Sequence, residues 1–360
     1  MNENKKTQVG NLLTALNDAA RLSRHKVFIL ADGVPDLARY SKNRLIRRLL
    51  KAFGLVIHHF KLGTKISKNR ASDLVLLYGF STEFLFVSYI TSWFYTRNVY
   101  LLVHHNIQQA SQNVVMKFFM KAYHYLGYKF VIHETTSVLK YLDFNEQEIA
   151  KHVVLLHPVR KLDLSPDRQL KLSSTSLDID NVKSPKIGII GSIRRGKRFS
   201  ETLALLLDLG EKLEFQLVVG ANNLSELGDI NLNGAALIDT SESENYLAAI
   251  EFCDIVILNY EKSQYLFRCS GVAADAIGTK TYVVCPNYPL MSHQLRYPDE
   301  VGLLYDEESE LEMVLEKALS LVLSSSNDEI FEKHYAERSA EKMASLFDSL
   351  ISERESSLTS

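Results

Sequence analysis

Cysteine is scarce in this chain: Cys253, Cys269 and Cys285 are the only three in 360 residues. Three thiols build no disulfide framework, and their spacing fits no metal-ligand pattern, so the expected setting is reduced, intracellular and free of bound metal. A long apolar run is also missing. Within the most apolar stretch, Leu74–Val103, the longest uncharged segment is Phe84–Thr96, well short of the roughly twenty residues that span a bilayer. The start, MNENKKTQVG, is polar with no apolar core behind it, so no secretory signal is expected and the reading is cytoplasmic. The strand-like run Val27–Ala31 is followed by Asp32-Gly33-Val34-Pro35, with one glycine. That is no dinucleotide fingerprint, and the chain carries no Walker loop, zinc pattern or serine elbow either. Dehydrogenase, P-loop and serine-hydrolase readings fall away, and no nucleic acid is expected as partner.

What the sequence has in quantity is short apolar runs. They are Val27–Ala31, Leu55–His58, Leu74–Tyr78, Val99–His104, Phe130–His133 and Val153–His157, then Lys186–Gly191, Phe215–Val219, Ala236–Ile238, Ile255–Asn259 and Tyr282–Cys285. Short, β-branched or Leu-rich and without alternation, they read as strands buried on both faces. Helix-like stretches lie between them, such as Ser200–Leu209 ended by Gly210, and strand alternating with helix predicts parallel sheets. The fold class is therefore α/β, with two doubly wound Rossmann-like domains facing across a cleft. The expected divisions are 1–165, a polar linker over 166–184, a second domain over 185–326, and a helix over 327–352 crossing back to the first. Ser326 and Glu329 suggest its capping box, and Ala336, Ala340, Met343, Phe347 and Leu350 its apolar face.

Ligands of open parallel sheets bind beyond the carboxyl ends of the strands. After Lys186–Gly191 comes Ser192-Ile193-Arg194-Arg195-Gly196-Lys197-Arg198, a cationic turn before a helix start that suits a phosphate. Lys197 is expected there as a flexible surface side chain whose truncation leaves folding intact. After Ile255–Asn259 comes a loop ending in Ser270-Gly271-Val272, where Ser270 can cap a helix and Gly271 lets a phosphate approach the backbone closely. Together the two segments make a two-sided diphosphate clamp. In the first half, His105-Asn106 ends a strand run and could orient or protonate a substrate.

These residues resemble the GT-B-fold glycosyltransferases, in particular the bacterial retaining glycosyltransferase-4-like group of glycan biosynthesis. Gly191 and Lys197 stand at the family's separation. Ser270-Gly271-Val272 with Asp275, and then Thr281–Val284 and Gly302-Leu303-Leu304, resemble its later blocks. The resemblance implies a donor that is a UDP- or GDP-sugar, with no further cofactor. Gly191, Ser192, Arg194, Arg195, Lys197, Ser270, Gly271, Val272 and Asp275 would hold it. Lys197, Arg195 and His105 would serve catalysis, and Asp32, Gly33, His105 and Asn106 the acceptor, a glycan or lipid-linked precursor of surface polysaccharide. The sequence departs from the family where Ser192 replaces an arginine, Phe267 the first of two glutamates, and Lys280 a glycine. The alternative is therefore a non-catalytic subunit of the same fold that stabilises or targets a partner enzyme.

Charge is divided unevenly. Residues 1–180 carry 25 Lys+Arg and 14 Asp+Glu, a net of +11, whereas residues 181–360 carry 16 and 29, a net of −13. Arg39, Lys42, Arg44, Arg47, Arg48 and Lys51 flank Leu45, Ile46, Leu49 and Leu50. On a helix this is either an apolar stripe for an anionic membrane surface or a core-facing stripe with a solvated basic rim.

Overall fold

The computed structural model describes residues 3–31, 44–161, 184–194, 196–227, 232, 234–324 and 328–359. Asp32, Gly33, Arg39, Lys42, Arg195, Ser326 and nearly all of the 166–184 segment lie outside them. The chain divides into two compact units. The first unit comprises Leu13–Leu155 and Ala340–Ser360, and the second Leu156–Ser339 with Met1–Leu12.

In chain order the first unit carries α1 (Glu3–Leu22) from Leu13 on, β1 (Val27–Leu30), α2 (Arg44–Lys68), β2 (Leu74–Tyr78), α3 (Leu85–Thr91) and β3 (Val99–Val103). Next come α4 (Asn106–Gln112), α5 (Val114–Tyr125), β4 (Lys129–His133), α6 (Glu146–Ile149) and β5 (Val153–Leu155). The strands pair in parallel in the order β1-β2-β3-β4-β5, with Val75 opposite Val99 and Leu101 opposite Phe130. Among the described residues this sheet steps in one direction without reversal. Leu55–His58 is not a strand: it sits inside the 25-residue helix α2. Its apolar run is the meeting of two helix faces, one buried at His58, His59, Leu62 and Ile66, the other exposed at Phe53, Val56 and Phe60.

His59 ties α2 to α3 and to the loop that leads into it. Ser81 N–H donates to its Nε2, so the proton sits on Nδ1, which donates to Ser88 Oγ, which in turn donates to the His59 carbonyl. Burial, reinforced by neighbouring His58, pushes the His59 imidazole down to about 3, which keeps it neutral and this relay intact. Where α2 crosses α3 the backbones approach so closely that a Cβ at Gly63 would overlap Thr91 Oγ1 and the Ser88 carbonyl.

The second unit carries β6 (Lys186–Gly191), α7 (Phe199–Leu209), β7 (Gln216–Ala221), β8 (Ala236–Asp239), α8 (Ser243–Glu251), β9 (Ile255–Ile257), α9 (Lys262–Tyr265) and α10 (Gly271–Gly278). It continues with β10 (Tyr282–Pro286), α11 (Pro289–Arg296), β11 (Gly302–Tyr305), α12 (Leu311–Ser324) and α13 (Asp328–Glu337). The parallel order is β11-β10-β9-β6-β7-β8. Alternate strand residues point to opposite faces, as the period of two demands. Ile190, Val218, Val256 and Val283 pack with α8, α10 and α11, whereas Ile189, Val219, Ile257 and Val284 pack with α7 and α12. Both faces of this sheet are thus covered by helices, and strand order reverses between β6 and β9.

The terminal segment is two helices rather than one. It breaks at Arg338-Ser339, between α13 and α14 (Ala340–Thr359). Arg338 is buried, and its guanidinium donates to the carbonyls of His157, Gln294 and Tyr297. Asp348 on α14 accepts from Ser23 Oγ at 2.5 Å and from Arg24 N–H at 3.1 Å.

The α2–α3 crossing yields a test. Gly63→Ala gains about 1 kcal/mol of helix propensity but forces a methyl into packed backbone, which costs about 1–3 kcal/mol. The net expectation is destabilisation, read as a lower urea midpoint. A midpoint at or above wild type would mean that α3 can move away from α2.

Candidate functional site

The reversal between β6 and β9 leaves a crevice at their carboxyl ends, because the connections from the two strands leave in opposite directions. The cationic turn starts at this point. β6 ends at Gly191 with φ +136°, a conformation open to glycine alone. A Cβ there would stand 2.8 Å from Lys197 Nζ, so the turn curls its lysine back over its own first residue. Gly196, φ +89°, lies beneath Gln264, whose amide a Cβ would strike. Glu261 N–H donates to the Gly196 carbonyl at 2.9 Å, and Arg194 donates to Tyr265 Oη at 2.9 Å. Two bonds and one close approach therefore fasten the turn to the loop after β9.

Lys197 is not the surface residue that a charge run suggests. It is 9% exposed, and no ion pair or hydrogen bond engages its ammonium among the described residues. Nζ stands 5.9 Å from the Tyr260 ring centroid. Burial, and then the nearby charge of Arg194, push the amine down to about 7, with Asp275 opposing. Arg198 has a different task. Left-handed at the start of α7, it pairs with Glu308 at 2.6 Å.

The other half of the clamp is built around Ser270. Its Oγ accepts from Ala273 N–H at 3.1 Å and caps α10, while its backbone N–H and C=O are both taken by the buried amide of Gln294 at 3.0 Å. Tyr260 Oη lies 3.1 Å from Ser270 Oγ, so Tyr260 touches the capping serine with its hydroxyl and faces Lys197 with its ring. The structure thus brings Gly191, Arg194, Lys197, Ser270 and Gly271 around one loop pair. Val272 points into the core instead, 2% exposed, and contributes only backbone. Asp275, one turn into α10, accepts from Tyr246 Oη at 2.9 Å. Burial pushes its carboxyl up to about 7, against the pull of that bond and of Lys197. Phe267 is core, 1% exposed.

In the first unit, His105 is exposed at the start of α4, with its ring centroid 4.1 Å from that of His104. Asn106 is buried, and its amide donates to Thr82 Oγ1 at 2.8 Å. That bond ties the start of α4 to the loop after β2. His104 in turn meets His133 edge-on at 5.9 Å. The residue that sequence reasoning passed over is Glu134. Directly after β4 it is 1% exposed and left-handed at φ +67°, an arrangement that costs a non-glycine residue about 1–2 kcal/mol. A buried acid in a strained conformation at a strand's carboxyl end, beside two contacting histidines, has the marks of a site. Its only sequence signal is its position after a strand run.

Two outcomes are expected of the clamp. Lys197→Met keeps the buried stem and removes the charge, so the melting temperature should hold or rise. Affinity for inorganic pyrophosphate should fall roughly ten- to hundredfold, since a charge-assisted bond is worth about 1.5–3 kcal/mol. A folded variant with unchanged pyrophosphate affinity would remove the lysine from the anion site, and a variant that fails to fold would show it to be structural. Secondly, an anion binds best when Lys197 is charged and Asp275 neutral, and both states form as pH falls through about 7. Pyrophosphate affinity should therefore drop above pH 7 by up to about tenfold per pH unit for each of the two groups, with proton uptake seen by calorimetry in two buffers. A flat profile would remove both groups from the site.

No family model matches the sequence, and no curated protein matches it. Solved structures do. A trehalose-6-phosphate synthase, OtsA, superimposes with a TM-score of 0.59 at 11% identity, covering 95% of this chain and 94% of that one. A glycosyltransferase from Rickettsia africae ESF-5 gives 0.51 at 14% identity over 96% and 93%. A trehalose-6-phosphate protein from E. coli bound with UDP-2-fluoro glucose gives 0.52 at 11% over 84% and 78%. At such identities the likeness establishes the fold, and the fold of this chain, two parallel-sheet α/β units, is the one found in GT-B glycosyltransferases.

Proposed function

We propose that the protein is a glycosyltransferase that moves a sugar from a UDP- or GDP-sugar to a glycan or lipid-linked acceptor in bacterial surface polysaccharide assembly. The second unit binds the donor and the first the acceptor, with its positive side on an anionic membrane surface. The observation that carries the reading is the buried ammonium of Lys197, paired with no carboxylate among the described residues, at the strand-order reversal and in one loop pair with the start of α10. Burying a charge without a partner costs several kcal/mol, and a diphosphate repays that cost. In the transfer, the bond from the sugar's anomeric carbon to the diphosphate oxygen breaks. The bond from that carbon to the acceptor oxygen forms, and the acceptor hydroxyl gives up its proton. Negative charge grows on the departing diphosphate, where Lys197, Arg194, Arg195 and the first N–H groups of α10 stabilise it. Asp275 reaches the donor's ribose, and His105 the sugar or acceptor near the reacting carbon. In the neighbouring E. coli structure the bound molecule is itself a UDP-sugar, in keeping with this class of donor.

One observation favours a second reading. Phe267 fills the position of an acid in the resembled family and is packed in the core, as it would be in a non-catalytic subunit that keeps the fold. Thermal-shift measurement against nucleoside diphosphates and their sugars separates the possibilities. A ligand at a hundred times its Kd adds about 2.7 kcal/mol, so UDP or GDP should raise the melting temperature by several degrees, and the matching sugar nucleotide should be hydrolysed slowly. Stabilisation without any turnover supports the subunit reading. No stabilisation by any nucleotide rejects the donor site.

A further inference from the structure

The first unit exposes far more large apolar side chains than the second. Leu45, Leu49, Phe53 and Phe60 on α2 are between 54% and 65% exposed, and Val56 is 37% exposed. The α2 stripe therefore does not face a core. Beyond it, Phe86 and Ile90 on α3 are 47% and 46% exposed, Trp93 and Phe94 in the turn after α3 are 77% and 61%, and Val114 and Phe118 on α5 are 83% and 67%.

These positions share one face. A sheet whose strands step in sequence order through right-handed crossovers carries all the connecting helices on the same side. That places α2, α3 and α5 next to one another. Beneath them ring contacts join α3 to α5 through the core, where Tyr128 and Tyr123 are buried: Phe86 to Tyr89, Tyr89 to Phe94 and to Tyr128, Tyr128 to Tyr123, Tyr123 to Phe119, and Phe119 to Phe118. The exposed α2 stripe meets this set where Gly63 abuts Ser88 and Thr91.

The turn at the end of α3 is built to display its rings. Trp93 and Phe94 are both left-handed, at φ 58° and 59°, a pair of conformations that aromatic residues rarely adopt. Backbone bonds from Trp93 N–H to Ile90 and from Phe94 N–H to Tyr89 hold them there, and Arg70 donates to the Ser92 carbonyl beneath. The turn is strained and maintained by several bonds, and although Phe94 meets Tyr89 edge-on, its two largest side chains stay mostly in solvent.

The charge around this face selects the occupant. From Leu37 to Ser72 the sequence has no acidic residue, and from Phe84 to His133 it has none either. Arg47, Arg48, Lys51, Lys61, Lys117 and Lys121 lie on the same helices. A cavity of about 260 Å³ bordered by Arg70, Tyr95, Arg97, Arg354 and one acid, Asp73, adjoins the turn. On α5 Lys117 pairs with Asp143 and Lys121 donates to the Asp143 carbonyl, so the acid-free cations are those of α2. Exposed rings beside such a helix match the headgroup layer of an anionic bilayer, where rings lie at the interface and cations meet lipid phosphates.

We propose that the Trp93–Phe94 turn, with Phe86 and Ile90 of α3 and the exposed stripe of α2, inserts into the interface of an anionic membrane. This rests on the reading that the first unit docks on such a surface, and deepens it from electrostatic contact to insertion. The two make different demands. Electrostatic docking alone dissolves at about 1 M salt, where the Debye length is near 3 Å, whereas inserted rings keep part of the binding.

Trp93 is the only tryptophan in the chain, so the full-length protein reports on its own insertion. On vesicles of phosphatidylcholine with 30% phosphatidylglycerol, Trp93 emission should shift to the blue, resist acrylamide, and be quenched by lipids brominated near the headgroup. A measurable fraction should stay bound at about 1 M salt. Phe86→Ser/Ile90→Ser should weaken partitioning at least tenfold at unchanged circular dichroism, with Trp93 still present as reporter. Binding that salt abolishes while Trp93 stays accessible to acrylamide overturns insertion and leaves docking standing. No binding at any salt overturns both. A concentration-dependent loss of Trp93 accessibility without lipid overturns the proposal in favour of a protein partner on the same face.

Discussion

The geometry of the second unit depends on one constraint, the burial of a single ammonium at the reversal of strand order. Between β6 and β9 the chain leaves the sheet in opposite directions, and the turn after β6 must fold inward rather than continue along it. Gly191 supplies the backbone angle, Gly196 the clearance beneath Gln264, and Tyr260 the ring that faces the lysine. Without those three, Lys197 would swing into water, where its charge costs nothing and holds nothing. The loop after β9 is ordered by the same arrangement, since its bonds to Gly196 and Arg194 are what keep Tyr260 and Ser270 in register.

The two units handle charge in opposite ways. The second keeps most of its acids on the outside, several of them in ion pairs such as Arg198–Glu308 and Lys280–Asp328, and buries two cations, Lys197 and Arg338. The first buries neutral histidines, His59 and His152, both pushed down to about 3 by burial first and a neighbouring histidine second. Its cations stay on helix surfaces among uncovered rings. A unit arranged in this way tolerates an anionic, partly apolar neighbour, while one rimmed with acids is repelled by it. The net charges of +11 and −13 for the two sequence halves are the coarse image of that difference.

Much of this was legible beforehand. Strands buried on both faces need continuous apolar runs, so ten of the eleven runs correspond to strands to within a few residues. The exception, Leu55–His58, failed because two helix faces happened to abut in sequence. The donor turn was legible because its chemistry is local: glycine, cations and a helix start within eight residues. Burial of Lys197 was not, since it depends on Tyr260 and Gln264 from a loop sixty residues away. Glu134 was invisible for a related reason, as one acid after one strand has no spacing to recognise. The α2 stripe was visible as a pattern, but a pattern names a face and not what covers it. Only its exposure beside Trp93 separated a core stripe from a surface one.

The division of the chain sets an order on its biogenesis. The first unit is discontinuous: its sheet ends at Leu155, but α14, with Asp348 bonded to Ser23 and Arg24, arrives only after residue 340. The second unit, apart from the first twelve residues, lies wholly between. On a ribosome it can close its core while the earlier-made sheet still lacks a helix. The half made first is thus finished last. Its incomplete face, and the uncovered rings of α2, α3 and α5, are exposed to the cell for the time needed to add about two hundred residues, ten seconds or more at about 5–20 residues per second.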